Sequence, residues 1–128
     1  MADYRKLKVW RKAHALALNV HRVVGTIRGS DYAPLRSQMM RAAMSIPTNI
    51  VEGSGQKSRK EFARFIGFAL NSTSELEYHL LVAHDFQAIK ASDFDSLSTQ
   101  TVEVRKMLHG LLKHVVASIS TPPRKVRA

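Results

Sequence analysis

The sequence predicts an all-α protein, an antiparallel up-and-down four-helix bundle with a proline-kinked second helix. Three observations carry that expectation. Apolar residues recur at steps of three and four in four separate stretches, which is the period of one helix face. Short breaks rich in Gly, Ser and Asp part the stretches, so successive helices have to turn back on one another. Alternation of the strand kind appears nowhere in the 128 residues.

The first helix is expected over residues 7–27, where Leu7, Trp10, Ala13, Leu16, Ala17, Val20, Val23, Val24 and Ile27 form one stripe. Gly29 is placed to end it as a left-handed cap. The second starts near Pro34, whose fixed φ suits a first helical turn. Its stripe of Leu35, Met39, Ala42, Ile46 and Ile50 stops at Gly53-Ser54-Gly55, with Pro47 inside it. A proline there removes the hydrogen bond to the Ala43 carbonyl, so the stretch reads as one kinked helix or as two short ones.

The third start is marked by an S-x-x-E capping box, Ser58-Arg59-Lys60-Glu61, followed by Phe62, Phe65, Ile66, Ala69, Thr73, Leu76, Leu80 and Ala83. A fourth helix is expected from Ser92, with Asp93 and Asp95 favouring its positive end. Leu97, Thr101, Val104, Leu108, Leu111 and Val115 then follow at bundle-seam spacing. Residues 1–117 are thus expected to form the bundle, and residues 118–128, with two prolines and three basic residues, a flexible basic tail.

The chain has no cysteine, which excludes disulfides, Cys-based metal sites and thiol nucleophiles. Its charged N-terminal stretch does not read as a signal peptide, and no apolar run is long enough to span a bilayer, so a cytoplasmic protein without membrane contact is expected. Histidine offers no metal site: His79 and His84, like His109 and His114, are five apart and point ~140° apart on a helix. Neither a phosphate loop nor a catalytic triad can be argued from the spacing. The expectation is a protein that is not an enzyme and takes no cofactor or metal.

Twenty Lys and Arg against ten Asp and Glu give a net charge of +10. Residues 1–36 hold eight basic and two acidic side chains, and residues 37–64 five and two. Residues 65–103 hold one and six, and residues 104–128 six and none. Excess positive charge of this kind points first to polyanions. Arg5, Lys6, Lys8, Arg11 and Lys12 cluster around Trp10 as a candidate phosphate patch; a solvated helix face around a core Trp10 is the bland reading of the same residues. Lys57, Arg59, Lys60 and Arg64 surround a helix N-terminus, where cations are disfavoured unless an anion joins them.

Three stretches together resemble a known family: LKVWRKA at residues 7–13, QMMRAAMSIPTNIVEG at residues 38–53 and SRKEFARF at residues 58–65. The chain resembles the small four-helix-bundle proteins named for 23S ribosomal-RNA intervening sequences. Met40 stands where that family commonly has an arginine before Arg41, and Asn71 where a glycine usually precedes Ser72. The resemblance implies a cytosolic homo-oligomer, typically a pentamer, akin to accessory proteins of diversity-generating retroelements that bind nucleic acid and a reverse transcriptase. It adds Arg41 to the candidate nucleic-acid contacts. It also makes Ser45, Pro47, Asn49, Glu52 and Gly53 a signature, whose chemistry reads as structural, with Asn49 and Glu52 open to a subunit contact instead.

The expected function is therefore non-enzymatic binding of nucleic acid, RNA or DNA with RNA first, by a homo-oligomer with basic surface patches. The alternative is a protein–protein adaptor that docks a nucleic-acid-handling enzyme such as a reverse transcriptase. Val9, Met40, Met44, Val51, Phe68 and Phe86, apolar but off the main stripes, are candidates for a subunit interface.

Overall fold

The computed structural model describes residues 3–120. It contains four α-helices, α1 (Lys8–Val24), α2 (Ala33–Ser54), α3 (Arg59–Asp85) and α4 (Ala91–Ser120), with single 3-10 turns at Tyr4–Lys6 and Ser30–Tyr32. Among the described residues α1 packs on α2 and α4, α2 on α3, and α3 on α4, while the backbones of the diagonal pairs stay apart. Cross-helix contacts run in opposite order along neighbouring helices. Lys12, Asn19 and Arg22 of α1 meet Glu103, Gln100 and Asp93 of α4. Ser45 and Gly53 of α2 lie against Ser72 and Phe65 of α3. The result is the antiparallel up-and-down bundle that the periodicity predicts.

Buried residues follow the four stripes, from Ala13, Leu16 and Val20 on α1 to Leu97, Val104 and Leu108 on α4. Val9 also joins the core at 5 % exposure, so its place off the simple stripe does not mark an interface. The buried hydroxyls are satisfied locally: Ser54, Thr73 and Thr101 donate to the carbonyls of Val51, Leu70 and Leu97 at 2.9, 2.7 and 2.7 Å. That saves each the cost of a lone polar group in an apolar core.

Three ends differ from expectation in detail. α1 stops at Val24 on Gly25, which is right-handed at φ −62°; Gly29 lies four residues further on at φ +100°, ψ 144°, outside the left-handed helical region. Arg36 explains the early stop, because its guanidinium donates to the Ile27 and Gly29 carbonyls at 3.2 and 2.8 Å and holds the linker. Ser58 caps α3 by accepting from the Glu61 N–H at 3.1 Å, but the Glu61 carboxylate turns to Arg64 at 3.2 Å, leaving half of the capping box. α4 continues to Ser120, so residues 118–120 of the expected tail are helical, and residues 121–128 lie outside the described residues.

Pro47 does not divide α2, which is one helix of 22 residues. Side chains around the missing backbone bond supply the polar contacts. Thr48 donates to the Met44 carbonyl at 2.8 Å, and Asn49 donates to the Ser45 carbonyl at 2.9 Å and to Ser45 Oγ at 3.1 Å. Ser45 Oγ lies 2.7 Å from Ser72 Oγ, which donates in turn to the Phe68 carbonyl at 3.2 Å. With that proton committed, Ser45 is the donor between the hydroxyls, and a one-way chain of hydrogen bonds runs from Asn49 across to α3. Gly53 completes the seam: a Cβ there would stand 2.8 Å from Phe65 Cβ and 3.0 Å from Phe62 Cδ1. Of the signature residues, Ser45, Asn49 and Gly53 therefore build the α2–α3 joint, while Pro47 is buried beside the groove between α1 and α2. Glu52 points elsewhere, exposed, with no ion pair among the described residues.

Candidate nucleic-acid interface

Up-and-down topology has a direct electrostatic consequence. It brings the start of α1, the end of α2, the start of α3 and the end of α4 to one end of the bundle. They carry basic stretches of the sequence: residues 5–12, residues 57–64 and, on α4, Lys106 and Lys113. One cavity of about 510 Å³ records the meeting, lined by Leu7, Lys57, Arg59, Phe62, Leu111, His114 and Val115. Segments far apart in the chain thus share a single cationic end.

The ten candidate cations are all exposed, yet they do different things. Arg5 pairs with Asp3 at 3.2 Å, and the Arg5 backbone and side-chain hydrogen bonds hold the Asp3 carboxyl below its usual pKa. Arg11 donates to the Arg5 carbonyl at 3.0 Å and so pins the first 3-10 turn. Lys12 pairs with Glu103 at 3.5 Å. Arg64 pairs with Glu61 and lies over the Phe68 ring, 5.2 Å from its centroid. Exposed pairs of this sort contribute little to stability, about 1 kcal/mol at most.

The side chains of Lys6, Lys8, Lys57, Arg59 and Lys60 have no hydrogen bond or ion pair among the described residues. They sit at the N-termini of α1 and α3, where the helix dipole already contributes positive potential. α1 adds to it, opening without a side-chain cap and without an acidic residue in its first turn. Arg41 stands apart. It lies on the outward side of α2, thirteen residues before Ser54, which is roughly 20 Å along the helix.

A second feature lies along the side of the bundle. Trp10, His14, Leu18, Met40, Met44 and Val51 line a groove of about 510 Å³ between α1 and α2. Trp10 is half-buried, stacked on His14 at 5.0 Å and meeting Tyr4 edge-on at 4.9 Å, so it belongs to the groove wall and not to the inner core. Leu18 and Met44 are 58 % and 54 % exposed on its rim. Met40, the departure from the family pattern, is one of its lining residues.

Among the described residues no group of three His, Asp or Glu is placed to hold a metal ion, and no helix is long and apolar enough to cross a membrane. The sequence missed Leu7, Phe62, Leu111, His114 and Val115 as a common cavity. Only helix order combined with the segment charges could have found them.

A four-helix bundle with one cationic end and an apolar side groove defines the class: a small basic helical-bundle protein. The chain matches the model of the 23S rRNA-intervening sequence protein family over residues 5–110 and belongs to that family. It is also similar to a solved protein of unknown function from the S23 ribosomal protein family of Bacteroides thetaiotaomicron VPI-5482. That likeness has a TM-score of 0.77 at 24 % identity, covering 82 % of this chain and 98 % of the other. No curated protein matches the chain.

Proposed function

We propose that this protein binds nucleic acid, RNA first, through its cationic end, as a non-enzymatic cytoplasmic homo-oligomer. The observation that carries the reading is the convergence of Lys6, Lys8, Lys57, Arg59 and Lys60 on one end without carboxylate partners among the described residues. Such an arrangement opposes folding through self-repulsion and is relieved by a polyanion, whose bound counterions are released as the cations replace them. Contact is with phosphates and not base edges, because the chain has no groove-reading motif. The test is charge reversal: Lys57→Glu with Arg59→Glu and Lys60→Glu should weaken RNA binding about 100-fold at low salt, and unchanged affinity would refute the reading.

Self-association draws on the α1–α2 groove, since exposed Leu18 and Met44 beside an apolar trough are the kind of surface a soluble protein covers. A ring, the pentamer implied by the family, would repeat the cationic end and add avidity without new contacts. Light scattering at micromolar concentration checks this, and a monomeric mass would contradict it. The same groove also suits the adaptor alternative. A stoichiometric protein partner that survives nuclease treatment, such as a reverse transcriptase, would favour that reading.

A further inference from the structure

The cavity at the cationic end has a composition that plain phosphate binding does not need. Leu7 from the entry to α1, Phe62 from the first turns of α3, and Leu111 and Val115 from α4 make its walls apolar. Lys57 and Arg59, from the α2–α3 turn and α3, make its rim cationic, and His114 of α4 adds a polar ring. A duplex presents only its phosphates to such an end, and the apolar walls would remain wet and unused. An unstacked nucleotide presents both parts, an apolar base with a flat face and an anionic phosphate on either side.

We infer that this cavity captures one unpaired nucleobase of a single strand, with the flanking phosphates on the lysines and arginine around it. The inference rests on the nucleic-acid reading of the cationic end and names the form of nucleic acid that it selects. Size agrees, since about 510 Å³ falls among the volumes of small-ligand sites. Charge distribution agrees as well. Lys6 and Lys8 flank Leu7 on one side, and Lys60 follows Arg59 on the other, so cations continue beyond the rim in both directions. A lone anionic headgroup would use one cluster, whereas a strand uses both. Arg59 brings a planar guanidinium that stacks on any base, which makes capture tolerant of sequence.

The test compares the affinities of the full chain for a single-stranded RNA and for the matching RNA duplex, in the same salt. Preference for the single strand should be about tenfold or more, the factor that one captured base supplies. Leu111→Trp fills the cavity and should abolish the preference while leaving the salt-dependent affinity for duplex. Should that variant lose helicity by circular dichroism, Leu7→Trp, at a half-buried position outside the helices, gives the same readout. Equal affinity for both forms, or a preference that survives filling, overturns the inference but not the phosphate reading. Absence of binding to either form overturns both. A change of oligomeric mass in Leu111→Trp would make a second subunit the occupant and overturn the inference.

Discussion

The two ends of the bundle use the same kinds of side chain to opposite purpose. At one end, the α1–α2 and α3–α4 connections and the helix turns beside them carry Arg22, Arg28, Arg36 and Lys90, matched in number by Asp31, Asp85, Asp93 and Asp95. Arg22 reaches Asp93 at 4.0 Å, and Arg36 fastens the linker through two carbonyls. At the other end, Lys6, Lys8, Lys57, Arg59 and Lys60 outnumber the carboxylates: Asp3 and Glu61 hold Arg5 and Arg64, and Glu52 alone is left to set against the five. Cations of the first kind serve the fold. Those of the second add strain to it and call for an outside anion. Net charge alone cannot tell them apart; partners can.

The largest expected break in this contrast comes from charge reversal. Lys57→Glu, Arg59→Glu and Lys60→Glu together should weaken RNA binding about 100-fold at ~50 mM salt, while Arg28→Glu with Lys90→Glu at the opposite end should change it less than about threefold. Fluorescence anisotropy with a labelled RNA reads both.

Gly53→Ala sharpens the comparison from the side of stability. A methyl group 2.8 Å from Phe65 Cβ must push α2 from α3, for a loss of about 1–3 kcal/mol in urea unfolding, with RNA affinity of the folded fraction retained. Next in size is Ser58→Ala, which removes the cap on Glu61 N–H and should cost about 1 kcal/mol. Smallest is Asp93→Asn, which weakens an exposed pair at 4.0 Å and should shift stability by less than about 0.5 kcal/mol.

Much of the fold was legible because helices announce themselves locally. The stripe from Phe62 to Ala83 and the Ser58 cap needed no tertiary information, and both stand in the structure. Gly29 misled because the helix ends earlier, at Val24, and Gly29 instead sits in a linker fastened by Arg36 of the next helix through the Ile27 and Gly29 carbonyls. Trp10 sits on the α1 stripe, yet the stripe is wider than the core, and its edge opens onto the groove. Pro47 could be read as a disruption. That Ser45, itself held by Asn49, reaches Ser72 across the seam spans 27 residues in sequence, and no pattern within α2 reveals it.

The candidate site was legible in its residues and hidden in its arrangement. Charge counts along the chain described separate basic stretches, with an acidic one between them. Only the alternation of helix direction turns those stretches into one surface and lines a cavity with Leu7, Phe62 and Leu111 beside Lys57 and Arg59. Arg41 shows the converse, since it lies in the signature stretch in sequence and far from the cationic end in space.

The salt dependence of RNA affinity, measured for the native chain and for the Lys57→Glu, Arg59→Glu, Lys60→Glu variant, tests the central claim most directly. If the cationic end binds phosphates, log K falls steeply with log salt for the native chain, and the variant loses about two to three units of that slope. A flat native curve, or one slope shared by both proteins, would contradict it.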